Sequence, residues 1–158
     1  VPDQVRKNIR FSLAALIALV GIADALFLTV KHLSGEALRC TVISGCDEVL
    51  SSRYATFAGL PLPVLGLTAY FLVFSLAVLA VFGYRFAEKL LVPLVLIMVL
   101  VTWWLLYVQA FILEHFCQYC LISAAATIFI AGLILGGPIF SLFQRKQQVA
   151  VADVVERH

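Results

Sequence analysis

Four stretches of this chain are apolar for the full thickness of a bilayer: 11–30, 62–83, 90–113 and 117–135. About 20 helical residues, each rising 1.5 Å, cross a hydrocarbon layer of about 30 Å. Within that layer a backbone segment must satisfy its own polar groups, and a helix does so. The expected fold is therefore all-α: an integral membrane four-helix bundle with a long outer loop between helices 1 and 2. Composition agrees, since 63% of the 158 residues are hydrophobic and the mean hydropathy is +1.07. A net charge of +2 is too small to point to nucleic acid. The first apolar run is long enough to span, so no cleavable signal peptide is expected.

The four spans lie in one membrane domain, residues 1–146, followed by a polar tail, 147–158, expected to fray. Gly136-Gly137-Pro138 should end or kink the fourth span, with 139–143 finishing at the interface and Arg145-Lys146 anchoring it. A tight turn is expected over 84–89, and Pro63 and Pro93 fall near the starts of their spans. Gly132-x-x-x-Gly136 and the alanines at 14, 15, 18 and 124–126 offer small faces for helix packing. The loop stretch Ser51–Leu60 reads as a short interfacial helix, capped by a serine and ended by Gly59, lying as a lid over the bundle.

Basic residues set the orientation. Arg6, Lys7, Arg10, Arg85, Lys89, Arg145, Lys146 and Arg157 fall on one side; Lys31, Arg39 and Arg53 fall on the other. The positive-inside rule makes the first side cytoplasmic. All four cysteines then face a non-cytoplasmic compartment, where disulfides persist.

Chemistry concentrates at Cys117-Gln118-Tyr119-Cys120, a C-x-x-C at the mouth of the fourth span. Spacing i, i+3 places both sulfurs on one helical face, at a separation that suits a disulfide. Free N–H groups at a helix start favour thiolate. This reads as a reversible two-electron couple, against a structural disulfide or half a metal site. Cys40 and Cys46 form a C-x5-C whose Ser44-Gly45 turn can bring the sulfurs together. It is a second redox pair, a loop staple, or, with the first pair, a four-thiolate metal site, which its spacing disfavours; no metal is expected.

Asp24 interrupts the first span about 10 Å below its outer end. It is a candidate proton donor, or a structural group hydrogen-bonded to Gln109. His115 and His32, on the same face of the membrane, are further proton-donor candidates. Trp103 and Trp104 sit near mid-span and are expected to pack.

The two cysteine pairs in this order, Ser51-Ser52-Arg53 soon after Cys46, Leu65-Gly66 in the second span, and the C-x-x-C opening the fourth resemble the vitamin K epoxide reductase family in its bacterial and plastid forms. The resemblance covers residues of about 10–140. It implies a membrane thiol–disulfide oxidoreductase, making disulfides or reducing vitamin K or another quinone. Its substrate would be ubiquinone, menaquinone or a phylloquinone-like ring. The implied redox disulfides are Cys40–Cys46 and Cys117–Cys120. Cys120, about 4.5 Å deeper than Cys117, would face the quinone, with the helix end holding its thiolate. Cys117 would exchange with Cys46, and Cys40 would face a thioredoxin-like partner. Many bacterial relatives carry that partner as a fused domain; here it is expected as a separate chain or as one removed from this chain. The quinone pocket is expected at Ser52, Tyr54, Phe57, Leu65, Gln109 and Leu113. Ala124 and Leu62 stand where the animal enzymes carry a quinone-holding Tyr and Asn, which points to a plain quinone rather than an epoxide. The implied location is a bacterial inner membrane, or its thylakoid or endoplasmic-reticulum equivalent. Two alternatives stand beside this reading. One is a DsbB-type quinone reductase, whose C-x-x-C comes in the first outer loop. The other is a non-catalytic membrane subunit held by structural disulfides.

Overall fold

The computed structural model describes the backbone of residues 2–156 and the side chains of residues 2–137. Its long helices are α1 (Pro2–Ser34), α3 (Leu62–Val81), α4 (Arg85–Tyr107) and α5 (Gln118–Glu156). All four are long and apolar enough to cross a membrane. A short α2 (Cys46–Ser51) lies in the loop between α1 and α3. A π-helical turn, Val108–Leu113, extends α4.

The helices close a ring: α1 packs on α3 and α5, and α4 packs on the same two neighbours. The core is built from small residues against large ones. Ala14, Ala18, Ala77 and Ala87 are fully buried, and Tyr70, Leu91, Val95 and Ile130 fill the space they leave. Gly21 gives the tightest approach of α1 to α3, since a Cβ there would lie 2.5 Å from the Tyr70 ring. Ala124 and Ala126 are buried as expected of a small face, but Gly132 and Gly136 are exposed and mediate no close approach.

Several boundaries differ from those expected. α1 begins at Pro2, because polar residues outside the membrane continue the helix. α4 begins at Arg85, so the turn shrinks to 82–84 and Pro93 lies inside the helix. Lys7 pairs with Glu88 across this end of the bundle at 2.5 Å.

The 136–138 break does not occur, and α5 runs on through Glu156, including most of the tail expected to fray. The reason lies in α1. Pro138 has no N–H to give the Ile134 carbonyl four residues back. The Arg10 guanidinium instead donates to the carbonyls of Leu133, through Nε at 2.9 Å, and of Ile134, at 3.4 Å. The anchoring expected of Arg145 and Lys146, and residues 157–158, lie outside the described residues.

The lid is not a 51–60 helix. Helix α2 comes earlier, followed by a 3-10 turn at Arg53–Ala55 and a minimal hairpin of β1 (Thr56–Phe57) and β2 (Leu60–Pro61). Ala58 (φ 52°) and Gly59 (φ 83°) make its turn. Left-handed backbone at both central positions is the geometry that suits two-residue hairpins.

Candidate functional site

The loop leaves α1 at Ser34 and returns to the bundle at a disulfide, Cys40–Cys46, with Cα atoms 5.7 Å apart. Cys46 is the first residue of α2 and is buried. It shares an apolar cluster with Leu28, Leu38, Leu50 and Cys117, and Cys40 and Cys120 pack against that cluster. Both cysteine pairs are thus brought together at one end of the bundle.

Two local features hold the loop there. Gly45 sits at φ 122°, and a Cβ on it would lie 3.0 Å from His115 Cβ and 3.2 Å from the Phe116 carbonyl oxygen. Only glycine lets α2 come this close to the strand of chain that ends in Cys117. On the other side, Gln118 Oε1 accepts hydrogen bonds from Thr41 Oγ1 at 3.2 Å and from the Val42 N–H at 3.1 Å. The loop is pinned to the residue next to Cys117.

Cys117 and Cys120 are free thiols. Cys117 occupies the N-cap position of α5, since its carbonyl accepts the Leu121 N–H at 3.0 Å. Its sulfur accepts the Cys120 N–H at 3.4 Å, the bond that a serine or aspartate oxygen makes in an ordinary cap. Its own N–H is given to Gln109 Oε1 at 3.1 Å. The π-helical turn carries Gln109, and the left-handed Glu114 (φ 55°) then turns the chain out of it. Gln109 is buried, so the bond is screened from water.

The Cys120 thiol donates to the Cys117 sulfur and holds it below the ordinary cysteine range. Burial opposes this, the Cys120 and Tyr119 N–H groups support it, and the Asp24 carboxylate weakly opposes it. The expectation that the helix end acts on Cys120 is therefore corrected. A cap serves the residue before the first turn, and that residue is Cys117. Gln109 and Asp24 form no hydrogen bond with each other among the described residues; Oδ2 of Asp24 is without a partner, and Gln109 Oε1 accepts the Cys117 N–H.

A cavity of about 600 Å³ lies beneath the loop, within the bundle. Of the sequence-predicted residues, Ser52, Tyr54, Phe57, Leu65, Gln109 and Leu113 line it, as do Asp24 and Cys120. Ser52 to Phe57 form its roof. Leu28, Met98 and Leu105 are among its apolar walls, and at Gly66 the wall is open enough that a Cβ would meet nothing within 4 Å. Trp104 lines it and stacks on Tyr107, whereas Trp103 does not. Cys40, Cys46, Cys117, His32 and His115 are outside it. His115 Nδ1 is engaged with the Leu113 carbonyl at 2.7 Å. Asp24 Oδ2 is buried and has no hydrogen-bond partner among the described residues.

One group in the wall has no precedent in the sequence reading. Tyr70 donates its hydroxyl to the Ser123 carbonyl at 2.6 Å and lies 2.8–2.9 Å from the Ser123 and Thr127 hydroxyls. A tyrosine in mid-span facing a Ser and a Thr four residues apart was the available signal.

The arrangement places the two thiols between the loop disulfide and the cavity. Cys117 shares a buried cluster with Cys46 of the loop pair, and Cys120 faces a largely apolar chamber of the size that holds a small organic ring. Among the described residues no three His, Cys, Asp or Glu groups are placed to hold a metal ion. The model of the vitamin K epoxide reductase family matches residues 12–135, which include all four cysteines and every residue named in the cavity wall.

Proposed function

This chain belongs to the vitamin K epoxide reductase family, and we propose that it is a quinone-dependent thiol oxidase of the membrane. One observation carries the reading. The two thiols of the C-x-x-C face different ways: Cys120 into the apolar cavity, and Cys117 into the cluster that holds Cys46 of the loop disulfide.

Electrons enter from the dithiol of a thioredoxin-like partner. Cys40, the less buried loop cysteine, is attacked first, and the loop pair is reduced. Cys46 then exchanges with the Cys117–Cys120 disulfide through a Cys46–Cys117 bond. The reduced membrane pair passes two electrons to a plain quinone in the cavity, with Cys120 as the sulfur beside the ring. The active face is non-cytoplasmic, a reading supported by the excess of basic residues on the opposite side.

The experiment uses the protein in vesicles with a short-tailed ubiquinone or menaquinone. A reduced thioredoxin-like protein or a small dithiol supplies the electrons. Turnover is expected with both. Cys40→Ala should abolish turnover driven by the protein dithiol and spare turnover driven by the small one. Removing Cys40 and Cys120 together should trap Cys46 on Cys117, because each has lost its own partner. Absence of quinone reduction by the unaltered protein sinks the proposal and leaves a scaffold with disulfides.

A further inference from the structure

We propose that Asp24 is the acid that supplies the second proton of quinone reduction; this rests on the reading above. Asp24, Ala25 and Leu28 present one face of α1 to the cavity, and Cys120, Ser123 and Thr127 present one face of α5. Asp24 brings a carboxyl group with a buried oxygen, Oδ2, that has no hydrogen-bond partner among the described residues. An unpaired ionised carboxylate is costly among apolar walls, whereas the neutral acid is tolerated and has a proton to give.

The proton count asks for such a group. Closing a disulfide from one thiolate and one thiol yields two electrons and one proton. A quinone needs two electrons and two protons to become the hydroquinone. In the resting dithiol the helix cap and the Cys120 thiol favour the thiolate on Cys117. Cys120 therefore supplies one proton, and another acid must supply the other. Then Cys117–S⁻, Cys120–SH, Asp24–COOH and the quinone give the disulfide, Asp24–COO⁻ and the hydroquinone. One negative charge is present before and after; it moves from sulfur to carboxylate. When the loop pair reduces the disulfide again, Cys117 returns as a thiol, and its proton restores Asp24. Both hydroquinone protons thus originate in the thiols of the partner.

Other acids in the wall are poorly placed. The Tyr70 proton is committed to the Ser123 carbonyl. Tyr54 belongs to the roof, on the water side. Arg53 belongs to the same roof. His32 and His115 do not reach the cavity.

The test is a single turnover. Pre-reduced protein in vesicles is mixed with one equivalent of short-tailed ubiquinone, and ring reduction and proton uptake from solvent are followed together. The unaltered protein should reduce the ring with no net proton uptake. Asp24→Asn should be slowed about 100-fold, in the range general acids contribute, and should take up one proton per ring. Its helix content and its Cys40–Cys46 disulfide should match those of the unaltered protein, which shows that it is folded. Asp24→Glu should recover most of the rate and return proton uptake to zero. Equal rates in the unaltered protein and Asp24→Asn overturn the proposal. So does equal slowing of both variants without a change in proton count, which marks Asp24 as packing. Failure of the unaltered protein to reduce the ring while still exchanging thiols overturns the parent reading, and this proposal with it.

Discussion

Replacing Gly45 by alanine tests whether the loop pair reaches Cys117 by close approach. The backbone at φ 122° lies outside the regions an alanine adopts readily, and such positions cost about 1–3 kcal/mol. The new Cβ would also stand 3.2 Å from the Phe116 carbonyl oxygen. That oxygen is backbone, next to Cys117, and cannot swing aside as a side-chain tip would. The cheapest relief is for the 40–46 loop to lift from the 115–117 segment, breaking the Thr41 and Val42 bonds to Gln118. If about 2 kcal/mol is released in this way, the docked population and the exchange rate fall about 30-fold, since 1.36 kcal/mol is tenfold. The assay is rapid-mixing transfer of electrons from a pre-reduced loop pair to the Cys117–Cys120 disulfide, with reduction by a small dithiol as the internal reference. Gly35→Ala is the control. Gly35 also has positive φ (66°), but its Cβ would meet nothing within 4 Å, so transfer should be unaffected. Unchanged transfer in Gly45→Ala would refute the close-approach argument.

Two further outcomes are expected. The Cys117 thiol is held low by the Cys120 thiol, so its alkylation in the reduced protein should persist at pH values where an ordinary cysteine is already protonated. Cys120→Ala removes that bond and should move the alkylation midpoint upward, as followed by rates of iodoacetamide labelling across pH. Gly66→Leu should fill the open part of the cavity, raising the KM for quinone at least tenfold while loop-to-membrane exchange, measured without quinone, stays the same.

What the sequence discloses is governed by the range of the interaction involved. The spans were legible because twenty apolar residues in a row are a local fact. So was a turn able to bring Cys40 and Cys46 together, since Ser44-Gly45 lies between them. The start of α4 at Arg85 was not, because charged residues beyond the membrane continue a helix without any change of hydropathy. The hairpin was misread as a helix because Gly59 serves equally as a helix stop and as a turn residue. Ala58 in left-handed backbone is set by the pairing of Phe57 with Leu60. The assignment of the helix end to Cys120 fell three residues from the cap, since only the three-dimensional structure fixes that Cys117 is the cap. Gln109 could be seen as a polar residue in a span. Its bond to the Cys117 N–H depends on the π-helical turn, for which no sequence signal was available. Pro138 is the clearest case: the group that relieves it, Arg10, is more than 120 residues away.

That distance has a consequence for how the protein is made. When the first span enters the membrane, Arg10 has no carbonyl to bind and remains among the lipid phosphates. The carbonyls of Leu133 and Ile134 exist for it only after the fourth span has been synthesised and inserted. Until α5 docks on α1, the last helix carries an unsatisfied carbonyl at Ile134, and the first carries Arg10 as an unpaired cation. The two defects cancel only against each other and only in the native neighbourhood of α1 and α5. Arg10 is thus a latch that the earliest segment holds open for the latest.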